Sequence, residues 1–138
     1  MSRPIRYAIL SAELATESAV YNTGATMELI ERLHVAGLAH VEAAGVWQGA
    51  NERSFVVYIP TDEGLEFVAK CALLYKQAAY VVVDESGDAR MEFPLSGSES
   101  IGRMREVPRA VAEASDGYTR VGSTYLLASK LASKSTSK

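Results

Sequence analysis

The residues best equipped for chemistry fall in one stretch, Gly45-Val46-Trp47-Gln48-Gly49-Ala50-Asn51-Glu52-Arg53-Ser54-Phe55. It holds the sole tryptophan beside an amide, a carboxylate, a guanidinium and a hydroxyl. An indole offers a flat stacking face, and Asn51, Glu52, Arg53 and Ser54 offer polar contacts. Such a stretch can take a small ligand. The plainer reading packs Trp47 over a sheet edge and leaves Glu52 and Arg53 solvated.

Other reactive groups are sparser. His34 and His40 flank Gly37, but metal ligation needs three or four converging groups, and no HxH, HExxH or cysteine pair occurs. Both read as surface or half-buried histidines. Glu13 and Glu17 follow the first apolar run, and Asp84, Glu85 and Asp88 cluster further on. Either set offers carboxylates for a divalent ion or for acid–base work. The second set is equally well explained as a turn, since Asp with Gly favours one. The serines between Gly97 and Gly102 lack the lysine of a phosphate-binding loop, and no nucleophile elbow or dinucleotide fingerprint occurs. The sequence thus assigns no catalytic residue, no metal ligand and no cofactor.

These groups must be positioned by short elements. Ile5 to Ala12 reads as a buried strand. A polar segment follows, with Asn22-Thr23-Gly24 as a breaker and Thr26 as helix N-cap. Met27, Ile30 and Leu33 then carry a helix to its end at Gly37. His40 to Trp47 and Ser54 to Ile59 read as a hairpin around a Gln48-Gly49-Ala50-Asn51 loop. Thr61 caps a second helix with Asp62 and Glu63 in its first turn. Ala79 to Val83 and Arg90 to Phe93 form the next hairpin. Ile101 to Val107 reads as a strand, Pro108 to Ala114 as a short helix, and Tyr118 to Val121 with Thr124 to Leu127 as a last hairpin.

The order β-α-β-β-α-β predicts an α+β fold: a ferredoxin-like antiparallel sheet with two helices on one face, plus additional C-terminal strands and a short helix. Strands as apolar as Val81-Val82-Val83 call for cover on both faces. Residues 89–128 can supply part of that cover and a homodimer the rest. The expected organisation is a single domain over 1–128 with a disordered Lys/Ser-rich tail over 129–138.

Composition narrows the function classes. The chain has 138 residues, 48% hydrophobic and 22% charged, with a net charge of −3. That is an ordinary globular composition. Scattered Lys and Arg on an acidic chain disfavour nucleic acid as a partner. No run approaches the roughly 18 apolar residues of a membrane span. The single cysteine, Cys71, reads as a buried inert thiol in a reducing, cytoplasmic compartment.

An ordered set of residues carries a resemblance: Asn22 ahead of a helix, Gly45-x-Trp47-x-Gly49-x-x-Glu52-x-Ser54-Phe55 into a strand, and Tyr75-Lys76-Gln77 before the next strand. Over about residues 7–93 the chain resembles the small bacterial and bacteriophage proteins of domain of unknown function 3293. The resemblance implies a polar set of Asn22, Glu52, Ser54 and Gln77 at one end of the sheet. A Gln77 amide at a helix-to-strand junction can also bridge two loops structurally. The expectation is a non-enzymatic accessory protein, phage-encoded and acting in the cytoplasm of a bacterial host on a host or defence component. It would bind a protein partner through an exposed sheet face or edge, or a small nucleotide-like ligand through stacking on Trp47 and polar contacts from Asn51, Glu52, Arg53 and Gln77. The alternative is a small hydrolase with Glu13 or Glu52 as general base.

Overall fold

A computed structural model describes residues 5–132. The strands are β1 (Ile5–Leu10), β2 (His40–Trp47), β3 (Ala50–Tyr58), β4 (Tyr80–Asp84), β5 (Asp88–Phe93), β6 (Gly97–Val107), β7 (Gly117–Val121) and β8 (Thr124–Ala128). The helices are α1 (Ala19–Val35), α2 (Asp62–Leu74) and α3 (Arg109–Glu113). A short 3-10 turn spans Ser129–Leu131. Of the tail expected over 129–138, residues 133–138 lie outside the described residues.

The eight strands close into an antiparallel barrel in the order β1-β3-β2-β7-β8-β6-β5-β4, with β4 returning to β1. This corrects the expected open ferredoxin-like sheet. Half of the ring, β4-β1-β3-β2, has the strand order that two β-α-β crossovers generate. The open sheet fails because its two edges do not stay free. β2 pairs with β7 through Ala44↔Arg120 to Trp47↔Gly117, and β4 pairs with β5 through Tyr80↔Glu92 to Val83↔Ala89. β8 and β6 complete the ring between them. Closure leaves no strand at a free end of the sheet.

The apolar runs of β1 and β4 follow from this geometry, because both strands are buried on both faces. Ala8, Leu10 and Val82 join Phe55 and Val57 of β3 and the inward faces of α1 and α2 in one core. Side chains of opposite parity, Tyr7, Val81 and Val83, meet Ala89, Met91, Ile101, Met104 and Ala128 inside the ring. Successive strand residues point to opposite faces, so one strand serves two cores. The second face is thus covered by the chain's own β5, β6 and β8.

The helices lie over the outer face. α2 begins where sequence places it, with Thr61 accepting the Gly64 N–H at 3.2 Å. α1 begins a full two turns before the expected Thr26 cap. Its N-cap is Ser18, whose Oγ accepts the Tyr21 N–H at 3.1 Å. Asn22-Thr23-Gly24 therefore sits inside the helix instead of breaking it. Asn22 is diverted from local turn formation by a partner eight residues earlier. Thr26, Leu29 and Leu33 form the buried stripe of α1, at the spacing of one helix face.

Candidate functional site

The stretch read as a polar loop is mostly strand. Gln48 and Gly49 alone make the turn, with φ of 50° and 86°. Two consecutive positive φ values define the tight hairpin turn that suits the twist of its strands. Asn51 to Ser54 consequently belong to β3, and Asn51 and Arg53 alternate with Glu52 and Ser54 across its two faces. The structure therefore splits the expected ligand set between two sides of one strand.

It also opens a gap beside that strand. β1 pairs with β3 from Tyr7↔Tyr58 to Leu10↔Phe55 and then stops. Beyond it, side chains replace the missing backbone partner of Arg53. The Glu13 carboxylate accepts the Arg53 N–H at 3.0 Å, and the Ser11 hydroxyl donates to the Arg53 carbonyl at 2.7 Å. Ser11 itself is buried and also accepts the Glu13 N–H at 3.0 Å. An open groove of about 640 Å³ lies here, lined by Glu13, Glu42, Asn51, Glu52, Arg53 and Arg120 among others.

The electrostatics of the groove are divided. Burial pushes the Glu52 carboxyl above the usual carboxylate range, and the negative charge of Glu13 adds to the rise. The Ser11 hydroxyl opposes it. Glu42 behaves oppositely: its bidentate hydrogen bonds from the Arg53 guanidinium, both 3.0 Å, hold its carboxyl low. The anionic form is thus disfavoured at one carboxyl and favoured at the other. The Arg120 guanidinium stands exposed at the rim, donating to the Gly122 carbonyl at 2.8 Å.

Asn22 and Gln77 make their hydrogen bonds to backbone. Asn22 Oδ1 accepts the Leu14 N–H at 2.9 Å and its Nδ2 donates to the Leu14 carbonyl at 3.0 Å. Gln77 Nε2 donates to the Glu13 carbonyl at 2.9 Å and to the Tyr75 carbonyl at 3.3 Å. Ser54 is buried with Gly45 against it, where an added Cβ would stand 3.0 Å from Ser54 Oγ. Trp47 lies over Gly117, where a Cβ would come within 2.5 Å of the indole. Trp47 remains 48% exposed and is not among the residues that line the groove.

The other candidates resolve into structural parts. Asp84 Oδ1 accepts from Ser86 N, Ser86 Oγ and Asp88 N, which is a turn built on its own carboxylate. His40 packs edge-on against Phe55, with Nδ1 2.9 Å from the Leu38 carbonyl, while His34 is exposed. Cys71 is buried, and burial raises its thiol. Among the described residues no group of three His, Cys, Asp or Glu converges as a metal site. Sequence reasoning paired Glu13 with Glu17 and passed over Ser11 and Arg120. No local signal marks these two: Ser11 acts where β1 ends, and Arg120 arrives through the pairing of β7 with β2.

The ring and its groove define a small antiparallel barrel protein with an acidic site at a strand end. Residues 8–128, from β1 to the end of β8, match the S-adenosylmethionine lyase family, and the chain belongs to that family. No curated protein matches the chain significantly in sequence. Family membership overturns the resemblance to domain of unknown function 3293. It equally overturns the expected non-enzymatic accessory role, because the family is one of lyases, and it lends nothing to the hydrolase alternative.

Proposed function

We propose that this protein cleaves S-adenosylmethionine as a lyase, with the groove beside β3 as its active site. The observation that carries the reading is the family match, which spans every strand that builds the groove. The chemistry of the lining fits the substrate. S-Adenosylmethionine carries a sulfonium cation, a carboxylate and a nucleoside. Glu13 and Glu52 offer negative charge to the sulfonium, Arg120 offers a partner for the carboxylate, and Asn51 offers amide contacts. Among the described residues no helix is long and apolar enough to cross a membrane, and the cytoplasm, where the substrate is made and used, is the compartment we assign.

A lyase breaks a carbon–sulfur bond without consuming water, and the electron pair passes to sulfur, which becomes a neutral thioether. The carbon left behind is satisfied within the substrate, either by its own carboxylate closing a ring or by loss of a neighbouring proton to a base, so the sulfonium charge is neutralised in that step. A site that merely bound the sulfonium tightly would stabilise the ground state and slow the reaction. Burial and the neighbouring Glu13 disfavour the anionic form of Glu52, which limits how tightly the groove holds the sulfonium in the ground state. Removal of water also favours a step that extinguishes charge.

The test is product analysis by mass spectrometry at early times in ¹⁸O-water. The expected result is two fragments whose masses sum to that of S-adenosylmethionine, with no ¹⁸O in either. Fragments summing to substrate plus water, or no turnover by the folded protein, would overturn the reading.

A further inference from the structure

The segment Glu13–Leu14 has all four of its backbone polar groups bound by side chains. Ser11 Oγ takes the Glu13 N–H, Gln77 takes the Glu13 carbonyl, and Asn22 takes both the N–H and the carbonyl of Leu14. These partners come from three places: the end of β1, the α2–β4 junction and the first turn of α1. Loops ordinarily leave such groups to water. Three side chains converging on two residues of irregular backbone is more restraint than connecting two elements requires. What the segment carries is the Glu13 carboxylate, held on the Arg53 amide within the groove.

We propose that Gln77 and Asn22 are positioning residues for the reaction: they clamp the Glu13–Leu14 backbone so that the Glu13 carboxylate is fixed beside Glu52. The assignment rests on the lyase reading of the groove. Gln77 acts on the residue that bears the carboxylate, and Asn22 fixes the next residue through both its N–H and its carbonyl. Neither amide donates to the carboxylate itself in these hydrogen bonds, so both act through backbone. The charged groups that line the groove around Glu52 are Glu13, Glu42, Arg53 and Arg120. Arg53 is engaged with Glu42, which leaves Glu13 as the neighbour whose placement the clamps control.

The test uses Gln77→Met, which keeps length and removes the N–H donors, and Asn22→Ser, which shortens the second clamp. Each is measured alone and combined with Glu13→Gln. The Glu52 titration is followed by ¹³C NMR of the carboxyl, and kcat and KM are measured on S-adenosylmethionine. Release of Glu13 lowers the Glu52 midpoint, and kcat falls about tenfold, as misplacement of a reacting group does, with a smaller change in KM. In the Glu13→Gln background the same substitutions cost little more, because the effect runs through that carboxylate. An unmoved Glu52 midpoint, or losses that add in full to that of Glu13→Gln, would overturn the clamp. The clamps sit on different elements, so either variant reads the proposal if the other does not fold. Because the NMR titration needs no turnover, absence of lyase activity would sink the function while leaving the clamp measurable.

Discussion

The Glu13 carboxylate accepts the amide hydrogen of Arg53 at 3.0 Å, a contact that joins residues 40 apart in sequence and places two carboxyl groups, Glu13 and Glu52, in one groove. A side chain has taken the place of a strand. The consequence is electrostatic, since the neighbouring charge and the loss of water both favour a protonated Glu52.

Replacing Glu52 by Gln separates function from stability. The folded-state carboxyl lies above its unfolded value, so stability falls as pH rises from the unfolded midpoint through the folded one. Glu52→Gln removes that loss and should melt at a higher temperature than the parent at pH 7, while removal of a groove carboxylate lowers turnover. That stabilisation should fade toward pH 4, where the parent's carboxyl is itself protonated. Thermal melts across pH 4–7 beside turnover assays check this. A variant less stable at pH 7 than at pH 4, relative to the parent, would count against it.

Tyr75 predicts the alkaline limit. It is buried, donates to Glu28 Oε1 at 2.8 Å and accepts from Arg32 Nε at 3.0 Å. Burial, with the hydrogen bond to Glu28, pushes its phenol up to about 12. Because the unfolded phenol ionises first, near 10, this contribution is intact below pH 10 and is lost as pH rises from 10 to 12. Tyr75→Phe should cost about 1 kcal/mol at pH 7 through its lost hydrogen bonds and flatten the fall in stability between pH 10 and 12. Urea midpoints at pH 8, 10 and 11.5 test it.

Gly117 holds the tryptophan in place. A Cβ there would meet the indole at 2.5 Å, closer than real contacts allow, and would stand 3.0 Å from the Val46 carbonyl. Gly117→Ala should displace Trp47, red-shift the fluorescence of the chain's single tryptophan and cost about 1–3 kcal/mol, as overpacking does. An unchanged emission maximum would show that the ring does not rest on Gly117.

Thr26 offers a gain. Its hydroxyl is fully buried on α1 and has no hydrogen-bond partner among the described residues. Thr26→Val keeps the shape and removes the unsatisfied group, and should leave stability unchanged or raise it by up to about 1 kcal/mol. A melting temperature several degrees lower would mean that the hydroxyl has a partner in solution.

The contrast between elements and assembly shows what this sequence makes legible. The β2 hairpin arm reads from His40 to Trp47 as it folds, and Thr61 starts α2, because alternation and capping are local. Asn22-Thr23-Gly24 misleads for the opposite reason: Asn22 has turn chemistry, but its partner is Leu14, reached only once α1 lies over the sheet. Barrel closure is likewise non-local, being decided where the modest Ala44-Gly45-Val46-Trp47 edge meets Arg120 to Gly117. The groove inherits that limit. Glu52 stands out as a carboxylate in a mixed polar run, but its pairing with Glu13 depends on where β1 ends.

The ring is closed by its last strands, and this bears on how the chain is made. While a nascent chain has emerged only as far as the end of β6 at Val107, β2 lacks β7, and β6 lacks β8. A nascent or prematurely terminated chain would present bare hydrogen-bonding edges of the kind that seed intermolecular pairing. Emergence of β8 is then also the moment at which the ring becomes safe from its own copies.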